Sequence, residues 1–109
     1  MPRFMLEGIA TPEVYASLIK TPVDRGDNAR GLIEKAGGKL VDYYAGIHNY
    51  KNYVIVDFPD HKSLAELLAV LYASGAITEA TATEIVTSDE LADIFRRAGK
   101  LTDAYGVPE

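Results

Sequence analysis

The chain has 109 residues, no cysteine and a formal net charge of −5. That length accommodates one domain, and the missing thiol excludes disulfides, thiolate nucleophiles and cysteine-based zinc sites. Lysines and arginines are scattered, so the acidic balance also excludes a binder of phosphate backbones.

The first residues form no apolar signal core, and no apolar run approaches a membrane span. A cytoplasmic chain is expected, with neither membrane nor nucleic acid as partner. His48 and His61 are the only histidines. Neither stands in an HxH or HExxH spacing, so no metal or other cofactor is expected.

In chain order, Arg3 to Gly8 alternate between Phe4 and Leu6 on one side and Arg3, Met5 and Glu7 on the other, the pattern of a half-buried strand. Thr11-Pro12-Glu13 opens a helix, with Thr11 as N-cap and Pro12 in the first helical position. Thr21-Pro22 interrupts it, because a residue before proline is pushed out of the helical region. The helix resumes with Ala29, Leu32, Ile33 and Ala36 inward and stops at Gly37-Gly38. A second strand covers Lys39 to Ala45, and Gly46 to Lys51 makes a hairpin connection. A third strand covers Asn52 to Phe58. Pro59-Asp60 starts the next helix, whose Leu64, Leu67, Leu68 and Leu71 recur at i, i+3, i+4 and i+7. Gly75 ends it. A fourth strand spans about Thr78 to Val86. Thr87-Ser88-Asp89-Glu90 is a capping box for a short helix carrying Leu91, Ile94, Phe95 and Ala98 and closed by Gly99. A weakly structured tail is expected from Leu101 onward.

The order β-α-β-β-α-β with short, right-handed connections predicts an α+β, ferredoxin-like antiparallel sheet in strand order 4-1-3-2, with both helices on one face. Residues 1–87 form this domain, and residues 88–109 add a C-terminal helix and tail.

The stretch Gly37 to Asp60, GGKLVDYYAGIHNYKNYVIVDFPD, resembles the GYD-domain family. Met1-Pro2, Thr21-Pro22, Gly37-Gly38-Lys39 and Val54 to Asp60 carry the resemblance, which extends over roughly residues 1 to 87. It implies a ferredoxin-like fold of the dimeric α/β-barrel type and no defined chemistry. At the family's own G-x-Y-D signature this chain reads His48-Asn49-Tyr50-Lys51, so only the tyrosine is kept.

Alternation places Phe4, Leu6, Val54 and Val56 toward the helices. The opposite face is then expected to carry Arg3, Met5, Glu7, Val41, Tyr43, Tyr53, Ile55, Asp57, Thr83 and Ile85. That mixture is too apolar for open water and too charged for a dry interface. It suits a homodimer or higher homo-oligomer enclosing a partly polar cavity for a small molecule. Asp42 falls on the wrong side for that cavity, which marks either an exposed edge or a slip of register. Because the first and third strands run antiparallel, Arg3 is expected beside Asp57 and Glu7 beside Tyr53 and the hairpin.

Glu7, His48, Tyr50 and Tyr53 are the candidate catalytic set. Tyr43, Lys51, Met5 and Ile55 are the candidate ligand-binding set. A histidine can shuttle a proton at neutral pH, a carboxylate can orient it and a tyrosine can polarise a carbonyl. The set would support cofactor-independent acid/base chemistry of a lyase, isomerase or cyclase type on a small carbonyl or aromatic compound. The plainer alternative is a non-catalytic oligomeric ligand-binding, regulatory or scaffold protein, with His48 a solvated hairpin residue and the tyrosines packing an interface. His61, in the first turn of its helix, is expected to be exposed.

Overall fold

The computed structural model describes residues 1–105. Four strands, β1 (Arg3–Ala10), β2 (Lys39–Ala45), β3 (Asn52–Asp57) and β4 (Ile77–Ile85), form one antiparallel sheet in the order β2-β3-β1-β4. This is the expected order, and with its helices on one face the sheet is the ferredoxin-like arrangement. The helices are α1 (Pro12–Lys20), α2 (Arg25–Lys35), α3 (His61–Ala73) and α4 (Ser88–Tyr105). Among the described residues no helix is long and apolar enough to cross a membrane.

The break at Thr21-Pro22 separates α1 from α2, as the proline requires. Asp24 caps α2 and Asp60 caps α3, each accepting the N–H of the residue three positions on. Thr11 occupies the N-cap of α1 with extended backbone, but its side chain makes no cap bond, and its buried Oγ1 has no partner among the described residues. Thr87 and Glu90 form the expected capping box, with the Glu90 N–H donating to Thr87 Oγ1 and the Thr87 N–H to Glu90 Oε1.

The core lies between the sheet and helices α2 and α3. Phe4, Leu6, Leu40, Val56 and Phe58 contribute from the sheet side, Ile33 from α2, and Leu64 and Leu67 from α3. Helix α2 packs along β2 and α3 along β4, so the two central strands lie beneath the seam between them. Each buried side chain of this size stabilises the fold by roughly 1.5–3 kcal/mol.

Two sequence expectations are corrected. Helix α4 does not end at Gly99 but runs on to Tyr105. A single glycine costs a helix only about 1 kcal/mol, which Leu101 and its neighbours tolerate. Residues 106–109 of the expected tail lie outside the described residues. The second correction is in β2, where the register slips between Leu40 and Asp42. Leu40 still faces Val56, but Asp42 pairs with Ile55, Tyr43 with Val54 and Tyr44 with Tyr53. Val41 is the extra residue of this β-bulge. Tyr43 therefore packs against the core on the helix side, and Asp42 and Tyr44 take the open face.

Gly38 shows how tightly β2 enters the sheet. A Cβ there would stand 2.6 Å from the Phe58 ring and 2.8 Å from the Asp57 carbonyl oxygen. Phe58 is fully buried and backbone cannot yield, so Gly38→Ala is expected to destabilise by about 1–3 kcal/mol. At Gly31, inside α2, nothing lies within 4 Å of the same Cβ. Gly31→Ala is expected to stabilise by about 0.5–1 kcal/mol. Urea midpoints of the two variants should move in opposite directions.

Candidate functional site

The hairpin between β2 and β3 closes with the Gly46 N–H donating to the Lys51 carbonyl at 2.9 Å and the Tyr50 N–H donating to the Gly46 carbonyl at 3.0 Å. Tyr50 has φ 55°, a left-handed conformation uncommon outside glycine. The Tyr15 hydroxyl holds it there, donating to the Tyr50 carbonyl at 2.9 Å while accepting the Ala10 N–H at 3.2 Å. The two tyrosine rings also meet edge to face, with centroids 6.1 Å apart. Asn49 braces the far side: its Oδ1 accepts the Lys51 N–H at 2.9 Å, and its Nδ2 donates to the Tyr53 hydroxyl at 3.4 Å.

Register brings the expected residues to the open face. Glu7 sits opposite Tyr53, Met5 opposite Ile55 and Arg3 opposite Asp57. Lys51 Nζ lies 3.3 Å from Glu7 Oε1 and 6.0 Å from the centroid of the Tyr53 ring. His48 is exposed and forms no hydrogen bond or ion pair among the described residues. The carboxylate expected to orient it is occupied by Lys51 instead. His61 is exposed as expected, with Nε2 3.1 Å from Glu84 Oε1 and its ring edge-on to Phe4.

A concave space, open to solvent at one side, lies on the other face of the sheet. A cavity of about 270 Å³ opens in the seam between α2 and α3. Its apolar wall includes Leu6, Leu32, Ile33, Val54, Leu67, Leu68, Leu71 and Ile77. The reason for the space is a row of small residues across the sheet. Ala45, Asn52, Gly8 and Ala80 are successive cross-strand neighbours from β2 through β3 and β1 to β4. Three of the four have no side chain beyond Cβ, so the helices cannot close down on the sheet there. The fourth, Asn52, shares the inward phase of Val54 and Val56 and is only 8% exposed. No side-chain hydrogen bond of the described residues involves it. Its carboxamide lines the largely apolar cavity and keeps contact with solvent there.

Arg25, Asn28 and Tyr43 add the remaining polar groups of this wall. Burial pushes the Tyr43 phenol above its ordinary pKa, and the charge of nearby Arg25 partly offsets that rise. The hydroxyl is therefore a protonated donor at neutral pH. Tyr43 was expected among ligand-binding residues on the open face, and the β2 bulge carries it to the cavity instead. Asn52, Arg25 and Asn28 were not singled out from the sequence. For Asn52 the signal was present, since a polar residue at the phase of a buried strand face requires a partner. Arg25 and Asn28 become recognisable only once α2 is placed over the sheet.

The sequence model of the GYD domain matches residues 4–95. The chain belongs to the GYD domain family. No curated protein matches it. Among solved structures, protein Atu4242 from Agrobacterium tumefaciens is similar at 16% identity and a TM-score of 0.49, over 81% of this chain and 94% of that one. A structure described as an antibiotic biosynthesis monooxygenase is similar at 15% identity and a TM-score of 0.44, over 80% and 98% of the two chains. The GYD match runs past residue 87 into the first turns of α4, so the family unit includes the start of that helix.

The open face also holds a titratable pair. Arg3 Nε donates to Asp57 Oδ1 at 2.8 Å and Arg3 Nη2 to Asp57 Oδ2 at 3.1 Å. These bonds hold the Asp57 carboxyl below the ordinary carboxylate range. A depressed folded-state pKa gives stability that is present above the unfolded value and lost as pH falls through the folded one. Asp57→Asn is expected to be less stable than the parent at neutral pH. The difference should shrink on acidification below about pH 4, the ordinary aspartate value. Melting temperatures of the two proteins between neutral and strongly acidic pH test this.

Proposed function

We propose that this GYD-domain protein binds a small carbonyl-containing or aromatic molecule in the cavity between its sheet and helices α2 and α3, and that it does so as a homo-oligomer. The observation that carries the binding site is Asn52. Its carboxamide lines the cavity and makes no side-chain hydrogen bond among the described residues. In a largely apolar wall it offers a ligand one fixed donor and acceptor, which is how small-molecule sites orient what they bind. Gly8 and Ala80 supply room for the ligand beside it, and the apolar wall supplies most of the contact, as small-molecule sites generally do.

Binding fits this cavity better than acid/base turnover. Arg25 stays charged and Tyr43 stays protonated near neutral pH, so neither exchanges a proton with a ligand. Glu7 also borders the cavity, but it has the strand phase opposite to Leu6 and its carboxylate is paired with Lys51. An acid/base reaction run by His48 with Glu7, Tyr50 and Tyr53 would require the hairpin to rearrange and Lys51 to release Glu7.

The test is an amide NMR titration with small carbonyl and single-ring aromatic fragments, made on the parent and on Asn52→Leu. Shifts clustered at Leu6, Gly8, position 52 and Ala80 are expected for the parent, and only at higher ligand concentration for the variant. The variant should fold like the parent, since the carboxamide makes no side-chain hydrogen bond among the described residues for the change to break. Ligand shifts of the same size in parent and variant would mean that Asn52 does not hold the ligand, and the reading would fail.

Support for the oligomer comes from two apolar surfaces that the monomer leaves uncovered. One is the open sheet face, with Met5, Tyr44, Tyr53, Ile55 and Ile85. The other is the stripe of α4 formed by Leu91, Ile94, Phe95, Leu101 and Tyr105, each more than two-fifths exposed. Helix α4 does not fold back along its own sheet. Among the described residues it has no extended packing against another element, and the molecule measures 60 × 30 × 23 Å. The radius of gyration of 17.8 Å exceeds the ~13 Å of a compact chain of about this length. Four aromatic side chains on these surfaces, at about 150–250 Å² each when fully buried, approach the ~800 Å² per partner of a stable interface. A second copy brings the same two surfaces, which satisfies two-fold symmetry. Light scattering at micromolar concentration is expected to give a dimer or larger, and Phe95→Glu should shift it toward monomer. A monomer mass for the parent would overturn the oligomer.

A further inference from the structure

The polar groups of the cavity are unequal in charge, and this narrows the ligand. Arg25 is the first residue of α2. A cation in the first turn opposes the helix dipole, which favours negative charge at that end. Helix stability therefore gives no reason for an arginine there. Nor is Arg25 held by a carboxylate: it forms no ion pair among the described residues. The nearby acids have other engagements. The Asp24 side chain accepts the Asp27 N–H as the helix cap, and Glu7 pairs with Lys51. Asp27, next along the helix, forms no ion pair with Arg25 either. Arg25 is thus an uncommitted, permanently charged group at the edge of a largely apolar cavity. Asn28, one turn on, borders the same space.

Resting on the cavity as the ligand site, we infer that the ligand is a small monocarboxylate, with its single aromatic ring or short aliphatic chain between α2, α3 and the sheet, its carboxylate on Arg25 and Asn28, and any second polar atom on Asn52. The volume of about 270 Å³ lies just below the ordinary range for small-molecule sites, which limits the ligand to such compact acids. The guanidinium fork matches a carboxylate in geometry as well as charge. A neutral amide of the same shape keeps the apolar contacts and the Asn52 bond but loses the charge pairing. Hydrogen bonds to charged groups are the stronger ones, so the acid should bind about tenfold tighter than its amide or better.

The experiment compares benzoate with benzamide and octanoate with octanamide, by amide NMR titration of the parent, Arg25→Gln and Asn52→Leu. Arg25 is partly exposed and unpaired, so Arg25→Gln should fold normally, and its spectrum reports this directly. The expected result is that an acid shifts Gly8, Asn52 and Ala80 at lower concentration than its amide, that Arg25→Gln abolishes this preference without affecting the amide, and that Asn52→Leu weakens both. Equal binding of acid and amide to the parent, or an acid preference that survives in Arg25→Gln, would overturn the monocarboxylate inference and leave the cavity reading standing. Shifts confined to surface lysines, or none at the cavity with any of the four compounds, would overturn the inference together with the cavity reading.

Discussion

The structure depends first on the antiparallel register of β1 against β3. Phe4 opposite Val56 and Leu6 opposite Val54 give the sheet its buried face. A slip of β1 by one residue would turn Phe4 and Leu6 away from Val54 and Val56 and bring Arg3, Met5 and Glu7 under the helices. The same register aligns Arg3 with Asp57 at one end and Gly8 with Asn52 at the other. The core, the open-face ion pair and the floor of the cavity are consequences of one pairing.

The cavity follows from what that register places in a single row. Bulky residues stand together in the neighbouring rows, and small ones stand together at Ala45, Gly8 and Ala80. Helices α2 and α3 are held off by the former and left unsupported over the latter. A cavity of this size in a small domain forfeits packing contacts, and a carboxamide in its apolar wall adds no packing of its own. Neither serves folding. Both are understandable as a site whose occupant completes the packing and the hydrogen bonding. Local departures from the rules of stability are expected where function resides.

The β2 bulge divides the tyrosines between two surfaces. Without it, Tyr43 would join Tyr53 on the open face. With it, Tyr43 enters the cavity wall and Tyr44 takes its place beside Tyr53. The hairpin beyond carries His48-Asn49-Tyr50-Lys51 at the family's signature position. Here Asn49 and Lys51 brace Tyr53 and Glu7, and the Tyr50 backbone is tied to α1 through Tyr15. In this chain the signature residues have a structural use, and His48 points to solvent from among them.

Local patterning by itself determined most of the architecture. Period-two alternation in β1 and β3, the proline at 22, the caps at Asp60 and Thr87 and the leucine stripe of α3 are signals that depend only on near neighbours along the chain. They were enough for the element order, the strand order and the Arg3–Asp57 and Glu7–Tyr53 pairings. What only the tertiary structure decided was anything that depends on one residue in excess or on distant segments meeting. The bulge at Val41 has no local marker, and it reversed the faces assigned to Asp42 and Tyr43. The apolar stripe of α4 was legible as a helix face, but its separation from the body was not, because that depends on what the rest of the chain leaves for it to cover. Asn52 carried a partial signal, a polar residue at an inward phase. Its meaning came from Gly8 and Ala80, which lie far from it in sequence and become its neighbours only when the strands pair.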